Sequence, residues 1–180
     1  CVIPSPYDLQ DNIPANFSGG KMTSQKPPIL VIATNIAGMQ WALTLINRDY
    51  DISQHDLLIL TKGLICSHNE ILTCSQFITK TFKFKTISCI SGPCIANEML
   101  QNEPTAVMLS STHYATASTL SNALSSVHYR AHPSSDVIGS EWASALKNIY
   151  AIIITATSAF AFNTQENFNA ALFHAIHQEL

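Results

Sequence analysis

A single lysine, Lys147, stands in a largely apolar segment between Ser134 and Ile154. The larger apolar residues recur every three to five positions, which is typical of one packing face of a helix: Val137, Trp142, Leu146, Ile149 and Ile153. Ala143, Tyr150 and Ile154 make the neighbouring face apolar too, which predicts a helix covered on most sides. There an ammonium group either pairs with an acid or takes a pKa closer to neutrality, and the second case makes it a usable proton donor or acceptor.

A second lysine, Lys62, follows directly on the apolar stretch DLLILT and precedes Gly63. A buried strand there would project the Lys62 side chain at the carboxyl edge of a sheet, as either a solubilising or a functional group. The turn from Ser91 to Cys94 stands before a short helical pattern, and its backbone N–H groups are suited to hold an anion, although a tight turn alone also explains it. Spacing ties no His or Asp to Cys94, which favours a small buried thiol over a nucleophile.

The elements that must position these residues begin at Ile29. Apolar stretches of strand length are predicted at residues 29–34, 56–61, 86–90, 105–111 and 127–130. Helical patterns alternate with them at 36–46, 69–77, 96–100 and 114–124, the first with Asn35 as its cap. This alternation predicts an α/β fold with a mostly parallel sheet. Right-handed crossovers then bring Thr61–Lys62 and Ser91–Gly92 to one edge, where open α/β sheets bind ligands.

The pattern changes at Ser134. The run from Ser134 to Asp136 is suited to cap a helix, and Glu141 lies early, where the helix dipole favours an acid. From there onward only helical patterns are found, with 155–164 ambiguous and a second helix capped by Asn167. We therefore predict a sheet domain at 1–133, opening with an irregular proline-rich segment at 1–28, and the beginning of an all-helical domain at 134–180.

Composition excludes several classes of protein. Hydrophobic residues make up 47% and charged residues 12% of the 180 residues, so a sizeable core is expected and a disordered chain is not. No apolar run reaches the roughly 18 residues that cross a bilayer. Lys80, Lys83 and Lys85 form the densest basic cluster, but they alternate with Thr and Phe, which favours a solvated turn over a nucleic-acid site.

Cysteines and histidines give no sign of a metal or a disulfide framework. The five cysteines lack CxxC spacing, and their odd count indicates reduced thiols and a cytoplasmic protein. The seven histidines are scattered without an HExxH pair, so no metal site is expected.

Four stretches together resemble one known family, the NAD(P)-dependent sn-glycerol-3-phosphate dehydrogenases. They are LLILTKGL around Lys62, ISGPCIANEM at 90–99, NEPTAVMLSS at 102–111 and YRAHPSSDVIGSEWASALKNIYAI at 129–152. The agreement keeps the family's order and covers most of 28–152, which makes it more specific than any one block. The resemblance implies the second half of a Rossmann-like domain followed by the start of a helical substrate domain.

The resemblance also implies a reaction and residues that carry it. Family members transfer a hydride reversibly between NAD or NADP and the C2 carbon of sn-glycerol 3-phosphate, giving dihydroxyacetone phosphate, a step that supplies glycerophospholipid precursors. The lysine of the TKG block contacts substrate and cofactor, and here it is Lys62. The SGP turn lies against both ligands, which maps to Gly92 and Cys94 for substrate and to Ala96 for cofactor. The lysine of the LKN block is the proton acceptor, matching Lys147, and Asn148 beside it contacts substrate.

The sequence departs from the family at several points. No GxGxxG turn, which seats the pyrophosphate of a dinucleotide, occurs in the chain, so the resemblance is to the middle portion of the family's chain. The glycine-rich segment after the catalytic helix is replaced by TATSAFAFNTQEN, and the expected arginine of the last helix falls at or beside His174. Two alternatives therefore stay open: an inactive relic serving as a binding or assembly module, and a related reductase with another phosphorylated substrate. An exposed sheet edge would favour a homodimer.

Overall fold

The computed structural model describes residues 29–67, 69–160, 170, 171, 174 and 175. The strands are β1 (Leu30–Ile32), β2 (Asp56–Ile59), β3 (Leu64–Ser67), β4 (Glu70–Thr73), β5 (Thr86–Ser91), β6 (Thr105–Ser111) and β7 (Tyr129–Ser134). The α-helices are α1 (Ile36–Asp49), α2 (Cys74–Thr81), α3 (Ala96–Leu100), α4 (Tyr114–Leu124) and α5 (Val137–Phe160), and a 3-10 turn covers Ile52–Gln54. The predicted irregular segment at 1–28 lies outside these ranges. Of the predicted helix capped by Asn167, only residues 170, 171, 174 and 175 are described.

Five strands form one sheet in the order β1-β2-β5-β6-β7. Neighbouring strands run parallel except for β5 and β6, which are antiparallel. This exception agrees with the link between them, whose only helix, α3, has five residues and is about 8 Å long, much shorter than a seven-residue strand of about 23 Å. The prediction of an α/β fold with a mostly parallel sheet is confirmed.

The two faces of the sheet are covered by different helices. One face packs on α1, α2 and the start of α5, and its buried residues are Ile32, Met39, Leu43, Leu57, Ile59, Cys74, Ile78, Ile87, Cys89 and Val137. The other face packs on α4 through Val107, Leu109, Ala117, Leu120 and Ala131. The alternation along each strand thus assigns successive residues to two separate cores.

Local sequence signals set the helix starts. The Asn35 side chain accepts a hydrogen bond from the Gly38 N–H at 2.8 Å, which confirms Asn35 as the cap of α1. Asp136 does the same for α5 by accepting from the Gly139 N–H at 2.8 Å. Both side chains satisfy backbone donors that a helix leaves without partners at its first turn.

The helix predicted at 69–77 is wrong in its first half. β3 and β4 form an antiparallel hairpin there, and Asn69 adopts a left-handed backbone conformation with φ 64°. Asparagine tolerates this conformation, which suits a hairpin turn and cannot continue a right-handed helix. The helix begins only at Cys74, after Thr73, which forms a capping box with Gln76.

The strand predicted at 127–130 lies further along the chain. β7 runs from Tyr129 to Ser134, so Pro133, the predicted domain boundary, lies inside it. Proline is tolerated there because β7 is one of the two edge strands of this sheet. Val137, at the start of α5, belongs to the core of the sheet. The division into domains at 1–133 and 134–180 stays a prediction.

The ambiguous stretch at 155–164 is helical over its described residues, up to Phe160. Within the described ranges, no helix is long and apolar enough to cross a membrane. In the basic cluster, Lys83 and Lys85 are exposed, and Lys80 forms an ion pair with Glu70 at 2.5 Å. The alternating residues Phe82 and Phe84 pack against the core. This arrangement agrees with a solvated turn.

Candidate active site

The ends of two neighbouring strands are joined by a lysine. The Lys62 Nζ donates a hydrogen bond to the backbone carbonyl oxygen of Gly92 at 2.7 Å. β2 and β5 are parallel neighbours, so the residues that follow them emerge at the same edge of the sheet. The predicted meeting of Thr61–Lys62 with Ser91–Gly92 is therefore confirmed.

Two glycines give this edge its backbone shape. Gly63 has φ +128° and Gly92 has φ +124°, a region that side chains disfavour. A Cβ on Gly92 would also lie 3.2 Å from the Cα of Val107, because the turn passes close to the neighbouring strand. At Gly63 an added Cβ would meet only side-chain atoms of Ile36, the nearest at 3.2 Å. The turn after β5 thus requires glycine on two counts.

The environment of Lys62 changes its pKa. Partial desolvation lowers its pKa, the nearby Lys147 ammonium lowers the pKa further, and Cys94 opposes the shift. The three groups come from different parts of the chain, namely the end of β2, the helix α5 and the turn after β5. The influence of Lys147 and Cys94 on the pKa of Lys62 indicates that the fold brings these residues near one another.

Lys147 lies on the surface of α5. Its side chain is exposed, as is that of Asn148, and the prediction of a lysine on a dry helix face is wrong for the described part of the chain. Only one side of α5 packs on the sheet, and beyond it Ile149 and Ile152 are 53% and 69% exposed. An apolar face predicted from the sequence is therefore not always covered in the fold, and a polar residue beside it then stays exposed. The position leaves the Lys147 ammonium open to solvent and to ligands.

The turn after β5 presents its residues outward. Cys94 is exposed, which overturns the expectation of a buried thiol, and its Sγ lies 2.9 Å from the Sδ of Met99. Ala96 is the first residue of α3 and is also exposed, whereas Gly92 is half-buried. Apart from the carbonyl of Gly92 that binds Lys62, these groups are open to a ligand at the sheet edge.

A small cavity of about 10 Å³ lies between the sheet edge and α5. It is lined by Thr61, Lys62, Gly63, Cys89, Ile90, Ser91, Glu141 and Ser144. The hydroxyl of Ser144 is buried and has no hydrogen-bond partner among the described residues. A cavity of this size and polarity holds about one water molecule.

Sequence reasoning missed the role of Glu141. Its side chain is only 7% exposed, and its carboxylate accepts hydrogen bonds from the backbone N–H of Ser75, at 3.0 Å, and from the Ser75 hydroxyl. The carboxylate thus sits at the N-terminus of α2, where the helix dipole favours negative charge, rather than serving its own helix. The available signal was an acidic residue next to Trp142, in a segment predicted to pack on most sides, where a buried carboxylate needs a hydrogen-bond donor.

Two buried thiols lie near this carboxylate. Burial, and secondly the negative charge of Glu141, raise the pKa of Cys74 to about 12 and that of Cys89 to about 12. Both thiols are neutral at physiological pH and chemically inert. In the part of the chain that the structure describes, no group of three or more His, Cys, Asp or Glu residues is arranged to hold a metal ion.

Comparison with known proteins gives the family. Residues 7–117 match the model of the N-terminal part of NAD-dependent glycerol-3-phosphate dehydrogenase. The chain is 34% identical over 121 residues to the glycerol-3-phosphate dehydrogenase [NAD(P)+] of Mesoplasma florum, covering 65% of this chain and 35% of that protein. With the Chlamydia muridarum enzyme of the same name it shares 32% identity over 164 residues, covering 89% and 46%.

Solved structures agree on the fold. Glycerol-3-phosphate dehydrogenase from Coxiella burnetii superposes with a TM-score of 0.61 at 27% identity, covering 79% of this chain and 42% of that one. The Plasmodium falciparum enzyme superposes with a TM-score of 0.71 at 19% identity, covering 83% and 42%, a likeness of fold alone. This chain spans less than half the length of each of these relatives. On the family match, which covers more than half of its residues, the chain belongs to the NAD-dependent glycerol-3-phosphate dehydrogenase family.

Proposed function

We propose that the protein acts in the NAD(P)-dependent interconversion of sn-glycerol 3-phosphate and dihydroxyacetone phosphate. The observation that carries the proposal is the hydrogen bond from Lys62 to the Gly92 carbonyl at the sheet edge. The influence of Lys147 and Cys94 on the pKa of Lys62 supports it. Open α/β sheets bind their ligands at this edge. Family membership supports the reaction, and the geometry supports the place.

Two neighbouring ammonium groups suit an anionic substrate. Lys62 and Lys147 repel one another when both are protonated, which is one reason for the lowered pKa of Lys62. A phosphorylated three-carbon substrate between them would relieve that repulsion and gain charge-assisted hydrogen bonds. Asn148, next to Lys147, and the outward-facing residues of the turn after β5 would complete the contacts to its hydroxyl groups.

Lys147 is the proposed proton acceptor. When sn-glycerol 3-phosphate is oxidised, the C2–H bond breaks as hydride leaves, and the C2 hydroxyl gives its proton to the Lys147 Nζ, which must be the neutral amine at this step and becomes the ammonium group. The environment at the sheet edge lowers the pKa of Lys62. The assignment of the proton to Lys147 rests on the family resemblance. Lys62 then orients the substrate.

NAD or NADP is the proposed cofactor, and it would supply the acceptor of the hydride that leaves C2. The sheet edge fits its reactive end, where Lys62 and Ala96 are candidates for contact. The Thr34 hydroxyl near the carboxyl end of β1 is buried and has no partner among the described residues, which leaves it free for a ligand. The glycine-rich turn that would hold the pyrophosphate does not occur among the 180 residues.

The test is turnover of dihydroxyacetone phosphate with NADH or NADPH by the protein expressed from its complete reading frame. Lys147→Ala should lower kcat by roughly two orders of magnitude, as the loss of a general acid–base group does. The matched control is Lys83→Ala, which removes an exposed lysine away from the site and should leave kcat unchanged. An unchanged rate in Lys147→Ala would remove this residue from the mechanism.

A second candidate function is an inactive binding or assembly module, which the lack of a GxGxxG turn in this chain favours. Titrating NADH into the purified 180-residue chain and following cofactor fluorescence separates the two. We expect no saturable binding in the micromolar range from this chain alone. If the complete reading frame also encodes no strand followed by GxGxxG, the inactive module becomes the better proposal.

A third candidate is a related reductase acting on another phosphorylated substrate, favoured by TATSAFAFNTQEN in place of a glycine-rich segment. Comparing kcat/KM for dihydroxyacetone phosphate with that for other phosphorylated ketones and aldehydes distinguishes it. A cytoplasmic location and a role in supplying glycerophospholipid precursors stay predictions. A homodimer is proposed because Val31, on the edge strand β1, is 53% exposed, and sedimentation equilibrium tests it.

A further inference from the structure

Glu141 is the one charged side chain among the buried residues of the described ranges. A buried carboxylate is costly unless its charge is compensated. No ion pair of the described part includes Glu141, and the compensation comes from Ser75, whose N–H and hydroxyl both donate to it. Removing the carboxylate would therefore leave the first turn of α2 short of an acceptor.

The contact between Glu141 and Ser75 lies in α5, less than two turns before the candidate site residues Lys147 and Asn148. At about 100° per residue, Glu141, Ser144 and Asn148 fall on nearly the same side of α5, and Lys147 lies one residue before Asn148. Lys147 itself lies about 120° around α5 from Glu141. Lys62, Glu141 and Ser144 line the same cavity, so the side of α5 that is anchored at Glu141 faces Lys62 one turn before Lys147.

Beside Ser144, the space between α5 and the strand ends is a cavity and not packed side chains. The small cavity separates Ser144 from the strand ends, and the Ser144 hydroxyl makes no hydrogen bond in the described part of the chain. On the preceding turn the Ser140 hydroxyl lies 2.5 Å from that of Ser110. Among the residues that the structure describes, no side-chain hydrogen bond joins Lys147 to the sheet. Repulsion between Lys147 and Lys62 works against their approach.

We propose that Glu141 is a positioning residue: by capping α2 through Ser75, it holds α5 so that Lys147 lies beside Lys62. The importance of this position rests on the proposed function, because only a reaction or an anion at the sheet edge makes use of two adjacent lysines. The placement itself is independent of turnover, and it is tested on the 180-residue chain.

The test measures how fast Lys62 reacts with a limiting amine-acylating reagent as a function of pH, by mass spectrometry of the modified peptides. The exposed Lys85 serves as the internal reference. In Lys147→Ala, Lys62 should react roughly threefold more slowly at pH 8 than in the wild type, because loss of the neighbouring positive charge raises its pKa. Glu141→Ala should give a decrease in the same direction, since Lys147 is no longer held nearby.

Two milder variants keep the test decisive if Glu141→Ala does not fold. Glu141→Gln keeps an oxygen that accepts from Ser75 and should restore most of the wild-type profile of Lys62. Ser75→Ala removes only the hydroxyl donor and should lie between the wild type and Glu141→Ala. Glu70→Gln, a change at an exposed carboxylate, is the matched control and should leave the profile unchanged.

The inference is overturned if Lys62 keeps its wild-type profile in folded Glu141→Ala, or in Ser75→Ala where Glu141→Ala fails to fold. It is also overturned if Lys147→Ala leaves Lys62 unchanged, because the two lysines then do not interact. Failure of the proposed function looks different: Lys147→Ala would keep full turnover while the Lys62 profiles still shift as expected.

Discussion

The Lys62 side chain spans the gap between two parallel strands and donates to the carbonyl oxygen of Gly92 at 2.7 Å. This hydrogen bond fixes the ammonium group of one strand end against the backbone of the other. It also ties the direction of Lys62 to the shape of the turn after β5. Changes at either residue should therefore affect the candidate site as well as the fold.

Gly92→Ala should destabilise the protein more than Gly63→Ala. Both positions have positive φ, a strain of order 1–3 kcal/mol for a side-chain residue. At Gly92 the new Cβ additionally meets the backbone of Val107 at 3.2 Å, whereas at Gly63 it meets the Ile36 side chain, which can move. Urea unfolding of the two variants measures the difference. Equal free energies of unfolding would show that the approach to Val107 costs nothing.

Lys62→Ala should weaken the binding of dihydroxyacetone phosphate roughly tenfold or more, since a hydrogen bond to a charged group contributes about 1.5–3 kcal/mol. Calorimetric titration measures the affinity, with Lys83→Ala as the matched control. Raising the ionic strength should weaken wild-type binding and have less effect on Lys62→Ala. Salt-independent wild-type binding would argue against two lysines as the anion site.

Cys66 and Cys94 should react with a thiol reagent in the native protein while Cys74 and Cys89 stay protected. The first two are exposed, and the second two are buried with pKa values of about 12, so on the order of one molecule in ten thousand is a thiolate at pH 8. Peptide mapping after brief alkylation gives the result. Rapid labelling of Cys89 in folded protein would contradict its burial.

The same thiols predict a loss of stability in alkali. Their pKa is raised on folding, so the unfolded chain releases these protons first, above a pH of about 9. The free energy of unfolding should therefore fall as the pH rises through 9 toward 12, and be unaffected by these groups below 9. Urea unfolding at a series of pH values under reducing conditions measures this slope, which should become shallower in Cys74→Ala.

Asn35→Ala should cost about 1 kcal/mol of stability, because the side chain caps α1 by accepting from the Gly38 N–H. Gln40→Ala, at an exposed position inside the same helix, is the control and should be close to neutral. Thermal unfolding followed by circular dichroism compares the two. A neutral Asn35→Ala would mean that solvent caps the helix equally well.

Much of the fold was predictable because it depends on local patterns. β6 and α4 begin and end where apolar periodicity predicted, and the cap at Asn35 is a property of one residue and its neighbours. The hairpin at β3 and β4 was missed, because short apolar stretches do not distinguish strand from helix and the pairing partner decides. The surface position of Lys147 was missed for a related reason, since periodicity shows which faces are apolar and not which of them find a partner.

The sequence by itself determined the alternation of the five sheet strands with their helices, the glycines at the two turns, and the motif blocks that indicate the family. These are fixed by backbone preferences and by the identities of neighbouring residues. Only the tertiary structure decided that Lys62 meets Gly92, that Glu141 serves the N-terminus of α2 rather than its own helix, and that Lys147 stays exposed. Each of these depends on how elements 30 or more residues apart pack together, and burial and charge compensation are settled only when they do.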